Sequence, residues 1–277
     1  MKIKNLIIAM LTLISAAAEA QSFNDFFTDK TLRVNFILGG NANSQNIYIS
    51  DMNSIDGWYG RKNHLAEFPV EGNTQFELKD KKTGKVIYRN SLSTLFQEWQ
   101  TYPEAKTSNR SFENVILMPM PKDTATLTIS LISNRRQIAG SITETISPTD
   151  ILIRKTGEEP APYEVLNKAA DQEKCIHIAF LAEGYTDKEM DKFINDARIA
   201  TDAIFAHEPF KKYQDRFQVI AVKSASEDSG TSVPSKGIWK KTALGSNFDT
   251  FYSERYLTTL NLSRVHDCLA GTPYEHI

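Results

Sequence analysis

Residues 175–205 read CIHIAFLAEGYTDKEMDKFINDARIATDAIF, and this stretch decides the fold. Ile176–Leu181 is apolar apart from His177, as a strand covered on both faces would be. Gly184 supplies a turn. Thr186-Asp187-Lys188-Glu189 then has the form of a capping box, in which Thr bonds forward and Glu bonds back. Met190, Phe193, Ile194, Ala197, Thr201 and Ile204 fall on one face of the helix that follows. Pro209 opens a new turn, and residues 217–222 (FQVIAV) read as the next strand. This order is a β-α-β unit with a right-handed crossover. Open α/β sheets place their chemistry beyond the C-terminal ends of their strands. Glu183, Gly184 and Tyr185 occupy such an end.

Upstream, residues 30–150 have a different pattern. Thr124, Thr126, Thr128 and Ser130 alternate with Ala125, Leu127, Ile129 and Leu131, the period of a half-buried strand. Residues 114–120 precede it, and Pro121-Lys122-Asp123 suggests a hairpin between the two. Residues 75–79 and 86–89 read as a second hairpin, with Gly84 giving its turn a positive φ. Residues 32–38 and 47–50 are further strands, and residues 93–100 a short helical turn. Short strands with regular turn signals point to an antiparallel β-sandwich. Pro148, Pro160 and Pro162 punctuate a connector over residues 147–172, in which residues 150–155 would close the sandwich. The boundary is expected near Gly157. Farther on, Leu262, Val265 and Leu269 mark a helix, and residues 274–277 begin another strand. The expected fold is thus an α+β two-domain chain: a sandwich over residues 21–156, then an incomplete α/β domain over 157–277.

At the N-terminus, Lys2 and Lys4 precede an apolar run over residues 6–18 and the small-x-small site Ala18-Glu19-Ala20. This is the form of a signal peptide, residues 1–20, too short to span a bilayer comfortably. The expected location is periplasmic, cell-surface or secreted, with no membrane span. Lys plus Arg is 32 against 34 Asp plus Glu, a near balance that argues against a nucleic-acid partner. Cys175 and Cys268 are too few for a disulfide scaffold and read as two buried thiols; topology also puts both at one edge of the sheet, where a disulfide is the alternative if their Cα atoms lie within about 7 Å.

The candidate chemistry is sparse. His207-Glu208 begins like the zinc motif H-E-x-x-H, but Pro209 follows and Lys211 stands where the second His is needed. His64, His177, His266 and His276 are scattered, with His177 reading as a satisfied core histidine. Asp228-Ser229-Gly230-Thr231-Ser232 resembles an aspartic-protease signature but has no second copy to share a proton with. It reads as a loop leaving the same sheet edge as Glu183. No G-x-S-x-G elbow is present. Trp58, Tyr59, Trp99 and Tyr102 could form a sugar-binding surface on the sandwich, though buried packing is the commoner use of such residues.

FLAEGYT (180–186), EPF (208–210), DSGTSVP (228–234), FDTFYSERYL (248–257) and LAGTPYEHI (269–277) occur in this order. Together they resemble the bacterial IgA peptidase family, zinc metallopeptidase family sixty-four. The resemblance implies an exported protein with an N-terminal β domain and a peptidase domain in which zinc activates water and a Glu accepts its proton. In that family the H-E-x-x-H helix follows the strand that begins Tyr-Glu-His-Ile. These residues end at Ile277, so the expectation is a truncated peptidase domain with no zinc ligand or catalytic residue of its own. Zinc is expected in the full-length protein and none in this chain, with a protein or peptide as substrate. Glu183, Tyr185, Ser229 and Thr231 are the candidates for bordering the substrate cleft. The alternative is a non-enzymatic exported protein whose sandwich binds carbohydrate or protein, with glycan contact through the N-terminal domain.

Overall fold

The computed structural model describes residues 22–277, so the signal-peptide reading lies outside the described residues. A short helix, α1 (Phe23–Phe26), leads into strands β1 (Phe27–Asn41), β2 (Ser44–Asp56), β3 (Thr74–Asp80) and β4 (Val86–Leu92). Helix α2 (Leu95–Trp99) comes next, held at its start by Thr94, whose hydroxyl accepts from the Gln97 amide. Then follow β5 (Arg110–Pro121), β6 (Ala125–Ile132), β7 (Ile138–Ile146), β8 (Arg154–Lys155) and β9 (Tyr163–Asn167). Two four-stranded sheets form, ordered β5-β1-β2-β8 and β4-β3-β6-β7. They face each other across one core that includes Leu32, Val34 and Phe36 from β1 and Leu127, Ile129 and Leu131 from β6. Each such side chain, fully buried, contributes roughly 1.5–3 kcal/mol.

The β3–β4 hairpin forms as expected, with Gly84 at φ +70. The expected hairpin of β5 with β6 does not. β5 pairs with β1, and β6 pairs with β3 and β7. Residues 122–124 carry the chain from one sheet to the other. Both strands have an apolar inner face, and two such faces can meet across a core instead of lying side by side. The connector reading also changes. Only residues 154–155 of the proposed closing strand pair, parallel to β2, and β7 and β9 form where no strand was expected.

The second half contains β10 (Ile176–Leu181), α3 (Met190–Phe205), β11 (Phe217–Val222) and α4 (Leu262–Leu269). β10 and β11 are parallel, and β9 joins β11 antiparallel. The Thr186–Glu189 capping box is present, and Met190, Phe193, Ile194 and Ala197 of α3 pack on Ala182 and Ala221. The expectation that β10 is covered on both faces is met instead by β11, whose six residues are all buried. β11 is central, whereas β10 has β11 on one edge and only the short segment at residues 275–277 on the other. There Ile178 and His276 make a parallel bridge, so the expected strand over residues 274–277 begins to pair. Cys175 and Cys268 are both free and partly exposed rather than buried.

The two halves are joined through the outer face of β1. Leu32, Val34 and Phe36 point into the sandwich, and the period of two sends Arg33 and Asn35 the other way. That outer face is covered by α4. Arg33 is buried and donates to Asp267 Oδ1 at 2.6 Å, the Ser263 carbonyl at 2.8 Å and Asn35 Oδ1 at 2.8 Å. Glu113 of β5 accepts from the Ser263 amide at 3.1 Å and hydroxyl at 2.6 Å, capping α4 from the sandwich. His266 of α4 lies 2.8 Å from the Tyr274 hydroxyl, and its pKa is pushed down to about 3 by burial and then by the Arg33 charge.

These contacts set two expectations. Arg33→Ala should cost about 2–4 kcal/mol of stability by chemical denaturation, because three acceptors lose a charged donor; an unchanged midpoint would contradict this. His266 has a folded pKa below its unfolded value, so the unfolded chain takes up the proton first. Stability should therefore be intact above about pH 6.5 and fall by up to about 1.4 kcal/mol per unit as pH drops toward 3. His266→Gln should flatten that slope in denaturation curves taken across this range.

Candidate functional site

The C-terminal edge of the parallel pair is built on close backbone contacts. Gly184 has φ +75, and the Gly230 amide donates to its carbonyl at 2.8 Å. A Cβ on Gly184 would lie 2.6 Å from the Gly230 oxygen, so this position requires glycine. The four candidate residues flank this one contact: Glu183 and Tyr185 on one side, Ser229 and Thr231 on the other. Two serines after β11 lock the arrangement. Ser224 donates to the Ala182 carbonyl at 2.8 Å. Ser226 Oγ accepts from the Gly184 amide at 3.0 Å and the Ala243 amide at 2.9 Å, while the Ser226 amide donates to the Tyr185 carbonyl.

Glu183 is the centre of the edge. Its carboxylate accepts from the Thr242 hydroxyl at 2.5 Å, the Leu244 amide at 2.8 Å, and the Ser246 amide and hydroxyl at 2.9 and 2.5 Å. A carboxylate engaged by four donors holds a loop in place and has little capacity left to move a proton. Tyr185 turns its ring onto Phe193 and donates to Asp196 at 2.8 Å. Burial, and then Asp196, raise its pKa. Ser229 donates to Glu189 Oε1 at 2.8 Å, and the other Glu189 oxygen accepts from the Thr186 amide and hydroxyl. The Thr186 amide, then the Thr186 and Ser229 hydroxyls, lower the Glu189 pKa. Thr231 is partly buried between Gly230 and Ser232. The edge therefore gathers all four residues but spends three of their side chains on internal bonds.

Thr242, Ser246 and Ser226 were not singled out in the sequence. They are small polar residues in an irregular segment, and only the Ser224–Ser226 spacing after an apolar strand hinted at them.

At the opposite, N-terminal end of β10, two cavities open at the seam between the halves. One of about 460 Å³ is lined by Trp58, Arg61, Tyr88, His266, Tyr274 and Glu275. The other, of about 160 Å³, meets Cys175, His177, Lys62 and Glu173. His177 is buried and its ring N–H donates to the Tyr59 carbonyl at 3.1 Å, in keeping with a satisfied core histidine. Trp58 and Trp99 are buried in the sandwich, so the imagined aromatic sugar surface does not form from them. Among the described residues, no three His, Cys, Asp or Glu side chains come together as a metal-ligand set. The described residues therefore offer no ligand set for a catalytic zinc. No described helix is long and apolar enough to cross a membrane.

Glu183→Ala leaves four donors without their acceptor. It should cost about 2–3 kcal/mol and speed amide exchange at Leu244 and Ser246 relative to β11, as read by NMR. Unchanged exchange at those amides would show that the loop does not depend on the carboxylate.

Comparison with known families gives two matches in chain order. Residues 22–143 match the family described as Peptidase M64 N-terminus, and residues 165–277 match IgA Peptidase M64. No curated protein matches the chain. The first match covers most of the sandwich, and the second begins within β9 and carries the Glu183 edge. The chain belongs to the M64 family of IgA peptidases, a family of zinc metallopeptidases.

Proposed function

We propose that this chain is the N-terminal portion of an exported zinc metallopeptidase that hydrolyses peptide bonds in a protein substrate, with its H-E-x-x-H helix outside these residues. The observation that carries the reading is the pair of family matches, the second of which contains a parallel β-α-β unit with an ordered C-terminal edge. The His207-Glu208-Pro209 segment does not supply an H-E-x-x-H motif, because Pro209 follows Glu208 and Lys211 stands in the place of the second His. We take residues 21–156 as an N-terminal β domain and 157–277 as the first part of the peptidase domain. In this reading Glu183 positions the segment over residues 242–246, and Tyr185, Ser229 and Thr231 stand beside the cleft as its border. Export rests on the leader-like residues 1–20.

Zinc content and casein cleavage test the proposal together. Residues 21–277 alone should hold no stoichiometric zinc and leave casein intact. A protein extended through an H-E-x-x-H segment should cleave casein and lose that activity to a chelator. Chelator-sensitive cleavage by residues 21–277 alone would overturn the assignment.

A further inference from the structure

The chain between β11 and α4, residues 223–261, forms a layer of loops that leaves the same sheet edge as Glu183. Several ties hold it. Ser232 bridges to Asn247, Asn247 to Thr258, and Val233 to Ile238 across a tight hairpin. Asp249 Oδ2 accepts from the Ser235 amide at 2.8 Å, and Asp228 Oδ2 from the Lys241 amide at 2.8 Å. Phe251 reaches into the sandwich core, 5.0 Å from Tyr102 and 6.2 Å from Phe112 between ring centres. Asp249, Phe251 and Tyr252 all adopt left-handed backbone, at φ 62, 52 and 62. Such a conformation costs on the order of 1–3 kcal/mol for each non-glycine residue. The buried Phe251 side chain holds the turn in place.

This well-tied layer presents aromatic surface to water. Trp239, just after the hairpin, is 71% exposed, and Ile238 beside it is 40% exposed. Trp58 and Trp99 are buried, so among the three tryptophans Trp239 alone faces solvent. Lys236 and Lys240 flank it and make no ion pair with any described carboxylate, whereas Lys241 pairs with Glu227 at 3.3 Å. Asp228 and Asp249, the other nearby carboxylates, have an oxygen taken by a backbone amide. An exposed indole with two exposed lysines near it in the chain, neither in an ion pair with a described carboxylate, is a surface open to a partner. Tryptophan is enriched among residues that dominate binding energy, and the lysines select the sign of the partner.

We propose that the Trp239 hairpin is a docking surface for an acidic, extended segment of the polypeptide substrate. The indole packs on the segment, and Lys236 and Lys240 meet its carboxylates. This assignment rests on the peptidase reading for calling the partner a substrate. Its test needs no turnover, so the two can fail separately.

The probe is a peptide of alternating Glu and Ala residues, titrated against the full chain while tryptophan emission is followed. The expected result is a saturable change in emission that weakens in about 0.5 M salt. Trp239→Phe should abolish the signal and lower the affinity, measured by calorimetry, roughly tenfold. Lys236→Glu with Lys240→Glu should shift preference to a Lys/Ala peptide. These substitutions sit on exposed positions, and circular dichroism checks that the fold is retained. No emission change up to about 1 mM peptide would overturn the proposal. So would equal responses to acidic, neutral and basic peptides. Binding to phosphatidylglycerol vesicles without binding to the acidic peptide would also overturn it, by making the hairpin a membrane-surface contact.

Discussion

The buried Arg33 guanidinium is the interaction on which the rest of the molecule depends. It sits on the outer face of a sandwich strand, a position that would ordinarily be wet. Burying a charge there is tolerable only because acceptors engage it on several sides: Asp267, the Ser263 carbonyl and Asn35. Two of those acceptors belong to α4, so the strand and the helix hold each other in register. Glu113 adds a cap to the same helix from the neighbouring strand. The α/β half is thereby fixed against the sandwich, and the direction in which its sheet edge faces is fixed with it.

That edge is organised by a second carboxylate and a pair of glycines. Glu183 ties the segment at residues 242–246 to the end of β10. Gly184 and Gly230 let the two loops approach within hydrogen-bonding distance. Phe251 anchors the same loop layer to the sandwich core from the far side. The loops over the edge are thus held at both ends, by polar contacts near the sheet and by an aromatic plug in the sandwich. A layer supported in this way can keep Trp239 exposed without collapsing onto it.

The parts of the fold that were legible in the sequence are those governed by local rules. The capping box at Thr186–Glu189 and the apolar face of α3 follow from spacing along one helix. The β3–β4 hairpin follows from its turn and from alternation. The partner of β5 did not follow, because alternation tells a strand which face is buried but not which strand lies beside it. β7 was missed because its residues are mostly exposed and carry little apolar signal. Glu183, Tyr185, Ser229 and Thr231 flank the contact between Gly184 and Gly230 at the end of β10. Their engagement was not foreseeable, since the donors to Glu183 lie about sixty residues away along the chain.

By itself the sequence determined the β-α-β unit, the β character of the first half, the family and the absence of an intact H-E-x-x-H. Each of these is carried by short-range periodicity or by contiguous motifs. Only the tertiary structure decided that Arg33 is buried, that Glu183 positions a loop, and that Trp239 stays in water. These outcomes depend on which distant surface comes to rest on each side chain. A period of two places Arg33 on the outer face of β1 whether that face is solvated or covered, and the packing of α4 is what makes it dry.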